Sequence, residues 1–164
     1  MTAQLPLDLP LKPVDRDEHT LGEWLTTFHM ATVVLDPYTY ESAWILDTAR
    51  RVLGHFRGAD CRVAFIVTGD DDEARRFLGP IIDEVLTLCD PDRSVAKTAG
   101  LEQLPAFLHI TPTGLVPAKA EGWDPKAWRE VAVALSKRMS WSYPLIPAAG
   151  DPVSFAGSPA SGAA

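Results

Sequence analysis

The chain has 164 residues, 46% of them hydrophobic and 23% charged, which suits a globular domain long enough to bury a core without disulfide or metal staples. Fifteen basic residues against 22 acidic ones leave a net charge of −7, a surface that repels phosphate backbones and anionic lipid and excludes nucleic acid and membrane as main partners. No apolar run approaches the roughly 18 residues of a membrane span, and residues 1–13, with Asp8 and three prolines, lack the form of a secretory signal. A cytoplasmic protein with free thiols at Cys61 and Cys89 is expected.

Residues 1–18 are proline-rich and then charged, and are predicted to form an extended lead-in on the surface. Leu21, Trp24, Leu25 and Phe28 recur at helical spacing, so 20–29 is predicted helical with Thr20 as N-cap. The run 31–35 is apolar and β-branched, a buried strand ended by Asp36 and Pro37. A helix is predicted over 40–57, with Ile45, Ala49, Val52, Leu53 and Phe56 on one face and Gly58 at the C-terminal cap position. A second apolar strand spans 61–67. Asp70, Asp71 and Asp72 open a short helix, where acidic side chains suit the dipole. Residues 85–89 form a third strand and 93–99 a helix stopped by Gly100. Strands 105–110 and 115–120 are joined by Thr111-Pro112-Thr113-Gly114, a type I turn signature, and therefore form an antiparallel hairpin. Asp124 caps a last helix that has Pro125 in its first turn and runs to about Ser140.

The order is α, β, α, β, α, β, α, β, β, α. Its βαβ units demand parallel strands through right-handed crossovers, and the hairpin adds an antiparallel edge. The expected architecture is a three-layer α/β/α sandwich around a mixed sheet of about five strands. Three parts follow: the lead-in 1–18, a domain over 19–143, and a flexible tail over 144–164. The tail is rich in proline and small residues, and Phe155 is its only aromatic.

Three segments together resemble the thioredoxin-like superfamily, specifically its peroxiredoxin-like and disulfide-reductase-like branch. They are VVLDPYTYESAW (33–44), the stretch from Asp70 to Cys89, and 89–123. Through that resemblance Pro105 matches the family's cis-proline, with Leu104 before it. Thr39-Tyr40-Glu41-Ser42 lies over the peroxidatic motif, and Ser42-Ala43-Trp44-Ile45 over Cys-x-x-Cys. Ser42 and Ile45 then stand where the family carries its nucleophilic and resolving cysteines. Catalysis in the family needs a thiolate, and a serine hydroxyl neither ionises comparably nor forms a disulfide. The plainer reading of Ser42 is a first-turn residue whose hydroxyl satisfies a backbone donor.

Neither cysteine repairs the loss. Cys61 opens one strand and Cys89 closes a parallel neighbour, so about 17–20 Å separates them, against the roughly 7 Å between Cα atoms that a disulfide allows. Cys61 reads as a core residue and Cys89 as a thiol at the functional edge of the sheet. His19, His29, His55 and His109 lack metal-ligand spacing, and no phosphate-cradling glycine motif is present, so no metal or cofactor is expected. Trp123 reads as a structural anchor before the last helix.

Two functions follow. In the first, the protein is a redox-inactive thioredoxin-like binder of a protein or peptide partner, through Tyr38, Thr39, Tyr40, Glu41, Ser42, Trp44, Leu104 and Pro105. In the second, it is a thiol-dependent oxidoreductase or peroxidase relative working through Cys89 alone. The sequence leaves monomer and homodimer open, although Pro117 in strand 115–120 discourages edge pairing.

Overall fold

The computed structural model describes residues 2–162. Its elements in chain order are β1 (Ala3–Gln4), β2 (Pro10–Pro13), β3 (His19–Thr20), α1 (Leu21–Leu25), β4 (His29–Leu35), α2 (Tyr40–Trp44), α3 (Leu46–Phe56), β5 (Cys61–Val67), α4 (Asp71–Leu78), a 3-10 turn (Gly79–Asp83), β6 (Thr87–Cys89), α5 (Ser94–Thr98), β7 (Gln103–Leu104), β8 (Ala106–Ile110), β9 (Leu115–Val116), β10 (Ala118–Glu121), α6 (Pro125–Met139) and β11 (Ser158–Pro159).

The central sheet has seven strands in the order β10-β8-β4-β5-β6-β2-β3. β4, β5 and β6 run parallel, while β8, β10, β2 and β3 join antiparallel. Four of the five strands expected from the sequence lie in it, as does the second half of the fifth; of the extra two, β2 comes from the lead-in and β3 from the residues just after it. Residues 2–18 hold two short strands and intervening turns, and they are not surface chain. Leu5, Leu9 and Leu11 are buried, and Lys12 of β2 pairs with Cys89 of β6. The reason is the apolar side chain at every second position, Leu5, Leu7, Leu9 and Leu11, which is the period of a strand. At Leu7 that side chain stays exposed.

Each face of the sheet carries its own core. Ala31, Val33, Leu35, Phe65 and Val67 pack with α3, α4 and α6. Met30, Val34, Ala64, Ile66 and Leu108 pack with α1, α5 and the N-terminal leucines. Alternate residues of β4 and β5 thus serve opposite layers, which is why both strands are predominantly apolar without a polar alternation.

The local signals at helix starts hold. Thr20 and Asp70 each close a capping box with the glutamate three residues on, and Asp124 accepts from Ala127 N at 3.3 Å. Three spans differ. α1 stops at Leu25, short of Phe28. The helix predicted over 40–57 breaks at Ile45, whose buried side chain lies between α2 and α3. Strand 115–120 divides at Pro117, which has no N–H for a ladder, leaving β9 paired with β1 and β10 paired with β8.

Of the segment predicted as a tail, residues 144–162 are not free; 163–164 lie outside the described residues. Ile146 is buried, Asp151 is ion-paired to Arg51 at 2.7 Å, and β11 pairs antiparallel with β7. Its small residues build no core of their own. They use backbone hydrogen bonds to a surface that the domain already provides.

Candidate functional site

The register sets Val34 of β4 opposite Ala106 of β8. The turn after β4 and the Leu104–Pro105 segment before β8 therefore share one edge of the sheet. The Leu104–Pro105 peptide is cis, and both residues are buried.

On the β4 side the chain turns sharply at Asp36 and Pro37. Asp36 accepts from Tyr38 N at 2.9 Å, and its own N–H donates to Ser42 Oγ at 2.9 Å. Thr39 caps α2 by accepting from Ser42 N at 3.4 Å. Ser42 is fully buried, and its hydroxyl satisfies a backbone donor. Among the described residues no histidine or carboxylate lies in hydrogen-bond contact with that hydroxyl, so none of them is placed to activate it. Ile45, one turn on, is equally buried. Tyr38, Tyr40 and Trp44 point the other way, with 71%, 77% and 57% of their surfaces exposed. None of the three is packed away against the lead-in. Glu41 is half-buried among them.

Two residues that the sequence did not single out tie this edge together. Asp36, 2% exposed, forms an ion pair with Arg93 at 2.9 Å, and Arg93 also donates to Ala160 O at 3.0 Å. Arg93 reaches both from a left-handed backbone conformation, φ 58°, at the start of α5. The only local hint was a strand that ends on an acid. The partner lies 57 residues away and no spacing rule connects the two.

Cys89 ends β6 on the same edge, beside a pocket of about 420 Å³ that also meets Lys12, Asp70, Asp71, Asp90 and Ser94. Its thiol lies 3.5 Å from Asp71 Oδ1. Burial, and then the charge and hydrogen bonding of Asp71, push that thiol up to about 12. Cys61, at the other end of β5, is pushed up to about 11, chiefly by burial. Both are free, as their places at opposite sheet ends require. Among the described residues no group of three or more His, Cys, Asp or Glu side chains is arranged to hold a metal ion.

Trp123 is fully buried and donates from Nε1 to Pro152 O at 2.7 Å. It meets Trp128 edge-on at 5.1 Å, and Trp128 Nε1 donates to Gly122 O at 2.8 Å. The anchoring role expected of Trp123 is thus directed both into the core and onto the C-terminal segment.

No protein-family model matches the chain, and neither does any curated protein. Solved structures do match. The MTB protein DsbF, seen in mixed oxidized and reduced forms, superposes with TM-score 0.62 at 17% identity, over 83% of this chain and 97% of its own. The exposed lipoprotein thioredoxin Etrx1 of Streptococcus pneumoniae gives 0.62 at 16% identity, over 79% and 97%. The bacterioferritin comigratory protein of Xanthomonas campestris, described with its alkyl peroxide reduction activity, gives 0.64 at 14% identity, over 82% and 95%. The chain has a thioredoxin-like fold of the kind shared by disulfide oxidoreductases and peroxiredoxins. Its two cysteines form no Cys-x-x-Cys. No helix among the described residues is long and apolar enough to cross a membrane.

Proposed function

We propose that the protein is a thioredoxin-like binding module without thiol-disulfide exchange activity, which grips an extended peptide or protein partner along the edge bearing Tyr38, Tyr40, Trp44, Leu104 and Pro105. One observation carries this reading. Ser42, where the superfamily places its nucleophilic sulfur, is sealed in the fold with its hydroxyl committed to Asp36 N–H, while the aromatic side chains around it face outward. Large exposed aromatics are the residues that anchor partners, and the strand beside them, β7, takes an extended segment by backbone pairing, here β11.

The proposed activity is a negative one and is tested directly. In an insulin-reduction assay with dithiothreitol, the rate stays at the uncatalysed level. Turnover above that level overturns the proposal. On the binding side, Tyr40→Ala and Trp44→Ala variants, whose substituted side chains are exposed and leave the core intact, lose a partner that the wild type captures.

The second reading, single-thiol chemistry at Cys89, draws support from the thiol chemistry of the similar structures. A thiol held at about 12 weighs against it, because the thiolate is the reactive form.

A further inference from the structure

The C-terminal segment crosses the edge just described. Asp151 is clamped by Arg51 at 2.7 Å and Thr48 at 2.8 Å, and Pro152 O receives the Trp123 indole. Phe155 exchanges both backbone hydrogen bonds with Trp123, at 2.9 and 3.0 Å, and its ring stands edge-on to Trp44 at 5.6 Å. Ser158 then pairs with Leu104 and Pro159 with Gln103. Ala160 N donates to Glu102 O at 2.9 Å, and Ala160 O takes the Arg93 hydrogen bond at 3.0 Å.

We infer that residues 155–160 are a resident ligand: an internal strap occupying a groove for extended peptides of the pattern aromatic-x-Gly-Ser, which such a segment of a partner enters by displacing the strap. The inference rests on reading this edge as a binding surface. The mode is strand addition, in which backbone bonds provide affinity and a few side-chain positions provide selectivity. Trp44 selects the aromatic. The glycine is demanded by geometry, since Gly157 has φ +97° and a Cβ there would stand 2.5 Å from Leu104 O. The serine is buried, with its hydroxyl 3.4 Å from Leu104 O.

The strap is also built to be displaced. Residues 152–160 carry no charged side chain, so the strap is held mainly by backbone hydrogen bonds and close packing. A short tether gives such a segment an effective concentration on the order of millimolar. If the strap's own intrinsic dissociation constant is about 10 μM, a competing peptide would therefore bind the strapped protein roughly 100-fold more weakly.

The test is fluorescence anisotropy of a labelled synthetic peptide, DPVSFAGSPA, copied from residues 151–160, against full-length wild type and Gly157→Val. The expected result is binding at least tenfold tighter to the variant, abolished when valine replaces the glycine of the peptide. Equal affinity for the two proteins, or no binding to a folded variant, overturns the inference. Phe155→Ala, which removes the ring from Trp44 and from the edge of the core, gives the same comparison should Gly157→Val not fold. A third readout needs no variant: the Ala160 amide, protected in wild type, exchanges faster with millimolar peptide present, and unchanged protection counts against the strap. A partner that needs Tyr40 and Trp44 but binds wild type and Gly157→Val equally keeps the binding reading and removes the strap. Insulin turnover removes the proposed absence of activity and leaves the strap comparison standing.

Discussion

His109 makes the fold acid-sensitive by an amount that can be worked out. Its ring, 4% exposed on β8, lies in a hydrogen bond with His29 of β4, with 2.9 Å between Nε2 of His109 and Nδ1 of His29. Burial, then the neighbouring His29 and Arg138, lower its pKa from 6.5 to about 4. Near pH 8 the ring is neutral in both the folded and unfolded chain. Below pH 6.5 the unfolded chain takes the proton and the folded chain does not, so stability falls as pH falls. The loss continues until about pH 4 and then stops. At about 1.4 kcal/mol per pH unit, the 1.5 units between pH 6.5 and pH 5 cost about 2 kcal/mol. With a urea slope of about 2 kcal/mol/M, the unfolding midpoint drops by about 1 M between pH 8 and pH 5 on this account alone.

His29 is lowered in the same direction, by burial and then by Arg138, and adds to the loss. Asp90 acts the other way, because burial raises its carboxyl despite hydrogen bonds from Val95 and Ser94 N–H groups, and acidification favours its folded form. Comparison with His109→Gln cancels both contributions, since that variant removes one titration and keeps a polar partner for His29. Urea melts at pH 8 and pH 5 then show the variant losing about 2 kcal/mol less than wild type. Equal losses in the two proteins refute the reasoning.

Other outcomes follow from the same edge of the sheet. Ser42→Ala orphans the buried Asp36 N–H and costs about 1–3 kcal/mol in urea or thermal unfolding; a neutral result means the 2.9 Å bond contributes nothing net. Arg93→Gln strands the carboxylate of Asp36 and costs about 3–5 kcal/mol, most of which returns in the Asp36→Asn, Arg93→Gln double variant, so a strictly additive double variant contradicts a direct pairing. Cys89, with its thiol at about 12, is alkylated by iodoacetamide at pH 8 at least about 100-fold more slowly than in the urea-unfolded chain. Comparable rates there would return single-thiol chemistry to contention.

The parts of this molecule that were legible in advance are those whose cause is local. β4 and β5 announce themselves because both faces of each are covered, so their side chains need no polar alternation. Thr20, Asp70 and Asp124 mark helix starts because each satisfies a donor three residues on. Even the hydroxyl of Ser42, read as the acceptor of a backbone donor, finds that donor six residues back at Asp36. The lead-in was half legible. Its apolar period of two is present from Leu5 to Leu11, but the prolines between favour an extended surface reading over a seat in the sheet. The strap was not legible, for a reason that lies in how it is held. Its hold on β7 and Trp123 is made by backbone N–H and C=O groups, which every sequence possesses, and its small side chains matter by allowing close approach. Composition alone therefore reads as disorder, and docking becomes visible only once Glu102, Leu104 and Trp123 are placed to receive it. The same holds for Arg93, which bridges Asp36 and Ala160 and so joins the turn after β4 to the C-terminal segment across 57 residues on one side and 67 on the other. The turn that buries Ser42 and the segment paired with β7 thus share a residue, which makes Arg93 the side chain whose loss should disturb both at once.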